Sequence, residues 1–390
     1  MNNHRIRSID IVRGLVMIIM PLDHVRDLIH VDSLTQSPTN LATTTTLLFF
    51  TRWITHLCAP VFVFLAGTSA YRVLAKNQNV PFLRRFLITR GLCLIAIEFL
   101  VVNTILYFDP GFHTLLFEVI GTIGVGFVLL SFLLNIPVKY LGILALLIIF
   151  FNGLFIQIPF NEGSLWQQIL SPFFLVSAFP VFANHVLIIA YPIIPWFAIM
   201  LLGFSAGRFF DFAPGLRNRT FVCTGILMLL VFLILRFTGL YGESNPWINH
   251  SSFNLSLLSF LNISKYPPSL LFTLVTLGIM LILLAYTDRK KDSQLSKILT
   301  VYGKAPLFYF IVHFFIIHVI LIIVLVLQGY RWSSLEFSSG TFGRPKSLES
   351  GLPLGYIFPI WIGVVWALYK PCKWFAELKQ KSNAAWIKYL

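Results

Sequence analysis

Six ionisable residues within positions 23–56 are of the types, and at the spacings, that acid–base chemistry needs. Asp23, His24, Arg26 and Asp27 fall in "PLDHVRD", and Arg52 and His56 in "TRWITH". A neutral imidazole can take a proton from an attacking hydroxyl or amine. A carboxylate bonded to its other nitrogen fixes the tautomer and supports the cation that forms. A guanidinium can steady an oxyanion, or a carboxylate or phosphate on a substrate. His24 and His56 are therefore the candidate bases, Asp23 and Asp27 the candidate orienting carboxylates, and Arg26 and Arg52 the candidate substrate or oxyanion ligands. Asp23 directly precedes His24 and points elsewhere on a helix, so the partner of His24 is Asp27 or a residue from another helix.

These residues sit in runs apolar enough to enter a bilayer, where a charge costs at least about 2.5–3.5 kcal/mol on insertion scales and so turns inward and pairs. Arg13 and His24 are eleven steps apart on one helix. At about 100° and 1.5 Å per residue they share a face and stand roughly 16 Å apart. Pro21 removes a backbone hydrogen bond and predicts a kink just before His24. Arg52 and His56, at i and i+4, are expected on one face of the next helix, at the depth of His24. The charges then read as one wall of a wet shaft through the bilayer. Glu98, Glu118, His313 and His318 could line the same cavity, while the spacing of the last two does not make a metal pair. At the other end Arg5, Arg7, Arg13, Arg84, Arg85 and Arg90 surround a basic mouth. It could hold a phosphorylated cofactor, with Arg13, Arg84, Arg85 and Arg90 as its ligands, or it could be a solvated positive face.

The whole chain has the composition such a shaft requires. Its 390 residues are 57% hydrophobic and 11% charged, with mean hydropathy +0.82. Soluble domains carry about a quarter charged residues, so the reading is an all-α, polytopic membrane protein. A spanning helix needs about 20 mostly apolar residues, and ten candidates occur: 9–29, 48–74, 86–107, 114–134, 139–158, 186–207, 220–238, 269–287, 306–328 and 353–369. About 22 of the 29 basic residues fall on the side of the N-terminus, which predicts both ends cytoplasmic. The net charge of +14 follows from that bias, and no nucleic-acid partner is needed to explain it. Residues 1–370 read as one transmembrane domain and 371–390 as a cytoplasmic amphipathic tail on the inner surface. The four cysteines are widely spaced, so neither a disulfide framework nor a metal site is expected. "GFSAG", Gly203 to Gly207, marks close helix packing.

"RIRSIDIVRGLVMIIMPLDHVRD" and "LFFTRWITHLCAPVFVFLAGTSAY" resemble the heparan-α-glucosaminide N-acetyltransferase catalytic domain family in its bacterial branch. The "S-x-D-x-x-R-G" opening (Ser8, Asp10, Arg13, Gly14) is similar to the wider transmembrane acyltransferase superfamily. The resemblance implies acetyl transfer from cytosolic acetyl-CoA, which enters at the basic side, to an extracytoplasmic sugar or glycan acceptor. It implies Arg13 near cofactor phosphate, His24 as base with His56 a second candidate, and Asp23, Asp27, Arg26 and Arg52 orienting and stabilising. The family's catalytic histidine comes from the loop between the first two helices, where this chain offers His30. The implied setting is a bacterial inner membrane, and a homodimer stays open. The rival reading is a proton-coupled transporter, since intramembrane Asp, His and Arg also mark ion pathways.

Overall fold

The computed structural model describes residues 6–156, 164–182, 184–289, 293–345 and 349–382. Arg5, Lys346, Trp386 and Ile387 lie outside the described residues. Fifteen α-helices occur among the described residues. In chain order α1 is Arg7–Ile29, α2 Thr46–Thr55, α3 Cys58–Asn77, α4 Val80–Ile97, α5 Asn103–Tyr107, α6 Val119–Leu133 and α7 Val138–Ile156. They continue as α8 Leu165–Phe174, α9 Ile193–Ala206, α10 Pro214–Thr238, α11 Phe253–Leu261, α12 Leu270–Arg289, α13 Gln294–Lys304, α14 Pro306–Leu327 and α15 Leu354–Lys381. Three short strands, β1 Thr114–Phe117, β2 Ser177–Phe182 and β3 His185–Ile189, form one sheet in the order β1-β3-β2.

Among the described residues, eight helical stretches are long and apolar enough to cross a membrane. Each coincides with an expected span, and the chain is an integral multi-pass membrane protein. The remaining two expected spans are also helical: α1, with its load of charges, and α6, which has only 15 residues. Lipid offers no partners to bare backbone groups, so this architecture is dictated by composition.

The departures from expectation have local causes. The span over 48–74 is two helices, interrupted at His56 and Leu57. Pro60 is the reason: a proline ring clashes with the carbonyl four residues earlier, here that of His56, and leaves it without a donor. The helix α1 instead runs unbroken through Pro21. The spans over 114–134 and 186–207 begin as strands. β1 pairs with β3 in parallel, Thr114 opposite Val186 and Phe117 opposite Ile189. The boundary drawn at residue 370 falls inside α15, which continues through Pro371 to Lys381. Its Phe375 stacks on Phe308 of α14 at 4.6 Å, so residues 371–381 continue the helix that begins at Leu354.

Helix crossings around the site are backbone-close. A Cβ on Gly14 of α1 would lie 1.8 Å from the carbonyl oxygen of Leu299 in α13, and one on Gly303 would lie 1.9 Å from that of Asp10. Gly67 of α3 and Gly203 of α9 are related in the same way, each 2.0 Å from a carbonyl of the other helix. Small residues let membrane helices pack without a hydrophobic driving force. The helix α13, unforeseen in a segment read as an inner loop, starts at a capping box between Ser293 and Ser296. It holds the basic end of α1 in place, where Arg7 donates to Ser296 Oγ at 2.5 Å.

Candidate functional site: two cavities end to end

Two cavities follow one another along α1. The one towards the long loops has a volume of about 260 Å³, and His24, Asp27, Arg52, Glu118 and Lys265 are among the residues lining it. The one towards the basic end has about 290 Å³ and is lined by Arg13, Ser69, Arg90, Lys304 and Lys379 over an apolar wall. Phe62, Val119 and Phe310 line both. The expected shaft is therefore two compartments with an apolar septum between them.

The upper cavity is organised by one carboxylate. Asp23 is buried, and its Oδ1 accepts from Arg26 Nη2 at 2.5 Å and from Thr55 Oγ1 at 2.9 Å, while Oδ2 accepts from Arg52 Nη1. Arg26 also reaches Asp27 Oδ1 at 2.7 Å. One turn of α1 and the end of α2 are thus bound through a four-charge network, as buried charges require. Within it, Asp23, Asp27 and Arg52 line the cavity, whereas Arg26 lies behind the wall, buried against Thr51 and the two aspartates.

The two candidate bases part company. His24 is half-buried, lines the cavity, and makes no hydrogen bond to any described residue. Its ring rests on Phe314 at 4.1 Å and near His313 at 5.2 Å. His56, at the helix break, is buried with its ring edge-on to Phe272 at 5.4 Å, outside the cavity lining, and its Nδ1 has no hydrogen-bond partner among the described residues. Arg52 lines the cavity from within α2, whereas His56 stands at the break that ends α2 and does not line it. Neither Asp23 nor Asp27 bonds to His24; both carboxylates are taken up by arginines. His30 is buried beyond the end of α1, its carbonyl bonded by Arg344 Nη1 at 3.0 Å, and it does not line the cavity. Burial, helped by the cationic Arg26 and Arg344, pushes its imidazole below the usual histidine range despite Asp32.

Glu118 and Tyr191 enter the same cavity from the strand ends. The β1–β3 pairing brings Phe117 opposite Ile189, so the residues after each strand emerge side by side. Glu98, fully buried in a π-helical turn at Glu98–Val102, accepts the Glu118 N–H on Oε1 at 2.5 Å. His313 and His318 are buried off the cavity, bonded to the carbonyls of Tyr309 and Ile105 respectively.

In the lower cavity Arg13 donates to Ser69 Oγ at 3.3 Å and to the Gly303 carbonyl at 3.4 Å, and lies 3.5 Å from Asp10. Arg90 stands over the rings of Phe86 and Phe127, its Cζ 6.0 and 5.7 Å from their centres, with no acid against it among the described residues. Lys304 is likewise without an acidic partner there. Arg84 donates to the Ser131 carbonyl at 3.1 Å and Arg85 is exposed; neither lines the cavity. Sequence does not single out Lys304 and Lys379, because their helices, α13 and the extension of α15, have the composition of a loop and a tail. A cluster of cations over apolar walls is suited to a phosphorylated group carrying a flexible arm.

Comparison with known proteins agrees with this geometry. No curated protein matches the chain. The family described as "Heparan-alpha-glucosaminide N-acetyltransferase, catalytic" matches residues 5–239. That match spans more than half of the sequence and includes both helices that carry the charged network, and the chain belongs to this family of membrane acetyltransferases.

Proposed function

We propose that the protein transfers an acetyl group from acetyl-CoA, held at the lower cavity, to a sugar or glycan acceptor in the upper one, with His24 as general base. One observation carries the reading: an imidazole that makes no hydrogen bond among the described residues faces one cavity, and four basic side chains face the next, across a septum of three residues. Arg13, Arg90, Lys304 and Lys379 would hold the phosphates of the donor. His24 takes the proton from the acceptor hydroxyl or amine as that atom attacks the thioester carbonyl carbon. The carbon–sulfur bond then breaks, and His24 returns the proton to the departing thiolate. Arg52 is placed to steady the oxyanion, and Arg26 and Asp23 fix Arg52. The Lys/Arg bias puts the basic end in the cytoplasm and both chain ends with it, which suits a multi-pass protein of a bacterial inner membrane.

The test is to replace His24 and His56 separately with Ala in purified, detergent-solubilised protein. His24→Ala is expected to keep acetyl-CoA binding and lose about 10²–10⁴-fold in transfer, the usual worth of a positioned base. His56→Ala is expected to stay within about tenfold of wild type. Full transfer by His24→Ala would overturn the assignment. Sugar flux in liposomes without any acyl donor would favour the transporter reading, since intramembrane charges also serve ion pathways.

A further inference from the structure

Among the described residues, Lys265 is the one cation of the upper cavity that the charged network leaves over. It lies in the segment between α11 and α12, is only 7% exposed, and lines the cavity. No carboxylate stands within 4 Å of its ammonium among the described residues, and it makes no hydrogen bond there. Other buried cations at this end have partners. Arg26 and Arg52 have aspartates. Arg236 donates to the carbonyls of Asn245, Ser259, Phe260 and Asn262, and Arg344 to those of His30, Val31 and Ser350. Glu118, on the same cavity wall, acts on Lys265 only from beyond 4 Å, and against it lie the aromatic faces of Tyr266 at 4.8 Å and Tyr191 at 5.8 Å. They lessen the cost of burying an ammonium without replacing a counter-ion.

The position of Lys265 is built. Glu243 accepts from the Ser264 N–H at 2.9 Å, the Ser264 hydroxyl at 2.5 Å and the Ser269 hydroxyl at 2.8 Å, gripping the chain on either side of the lysine. Tyr266 donates to Tyr191 Oη at 3.2 Å and closes the aromatic pair. The lysine enters from the loop end, opposite the cations that would hold donor phosphates, so its ligand arrives with the acceptor.

We propose that Lys265 is the anion-binding residue of the acceptor site, and that the acceptor is a sugar bearing a carboxylate or phosphate. The inference rests on the upper cavity receiving the acceptor. An acidic sugar gives the ammonium the contact ion pair that it lacks among the described residues, whereas a neutral one leaves it with Glu118 at longer range, which is how a polar site discriminates.

The test measures binding to the full chain in detergent with no acyl donor, using glucuronate, glucose 6-phosphate and glucose. At least one acidic sugar is expected to bind ten or more times tighter than glucose, and which of the two does so identifies the anion. Lys265→Met is expected to abolish the preference and Lys265→Arg to retain it, with acetyl-CoA binding unchanged in both. Wild-type protein that binds glucose as tightly as both acids overturns the proposal, as does an acid preference that survives in Lys265→Met. Acid-selective binding without acetyl transfer would sink the transferase reading alone, and acetyl transfer to glucose in preference to both acids would sink the Lys265 assignment alone.

Discussion

Asp23 is the carboxylate that ties the two helices of the charged network together. It joins Arg26 on its own helix to Arg52 and Thr55 on the next. Removing one member of a buried ion pair leaves the other uncompensated and costs about 3–5 kcal/mol. Asp23→Asn is therefore expected to lower the melting temperature in detergent markedly, since Arg52 loses its aspartate while Arg26 keeps Asp27. Adding Arg52→Gln should recover much of that loss, because it removes the orphaned charge. An unchanged melting temperature in Asp23→Asn would show that the network is solvated and not structural. The clustering of Asp23, Asp27, Arg26 and Arg52 was legible in sequence because charges in an apolar run must find one another. The orientation of His56 was not. Its sequence spacing assumed an unbroken helix, although Pro60 stood in the position that breaks one at His56. Lys265 carried a faint signal, as one of the few basic residues on the base-poor side of the chain, flanked by Tyr and two prolines.

At the level of elements, the helices that carry the site are held by backbone proximity more than by side chains. The α1–α13 crossing has Gly14 against the Leu299 carbonyl and Gly303 against that of Asp10. A methyl group at Gly14 would sit 1.8 Å from an oxygen of the partner backbone, so the helices must separate. Overpacking of this kind costs about 1–3 kcal/mol or more. Gly14→Ala is expected to lower the melting temperature and also to weaken acetyl-CoA binding, because Arg13 and Lys304 lie on the two helices that part. Ala at exposed Gly355, which has nothing within 4 Å, is the matched control and should change neither. Equal melting temperatures for the two variants would contradict the close crossing. Spans were easy to see in sequence, since each is a long apolar run. The strands were not: β1 and β3 are 4 and 5 residues long and run straight into apolar helices, so no change of composition marks where the 2-residue period gives way to the helical one.

At the scale of the whole molecule, the proposed transfer turns on the septum between the cavities. Arg13 and His24 lie on one unbroken helix and line successive cavities. A donor anchored by cations at the basic end can reach His24 only if its arm passes Phe62, Val119 and Phe310. Val119 is the place to test this, because it is the smallest of the three and sits at the start of α6, next to Glu118. Val119→Phe enlarges the barrier and Val119→Ala reduces it, while neither alters a charge in either cavity. If the arm threads the septum, Val119→Phe should cut transfer at least tenfold with acetyl-CoA affinity within about threefold, since binding to the cations is separate from reach to the base. Val119→Ala should hold the wild-type rate and raise slow hydrolysis of acetyl-CoA in the absence of acceptor, because a wider septum admits water to the thioester. Both effects read the same residue in opposite directions, so general loss of structure cannot mimic them. Equal transfer by the two variants would mean that the thioester meets the acceptor by a route that does not run along α1, and the assignment of His24 would fall with it.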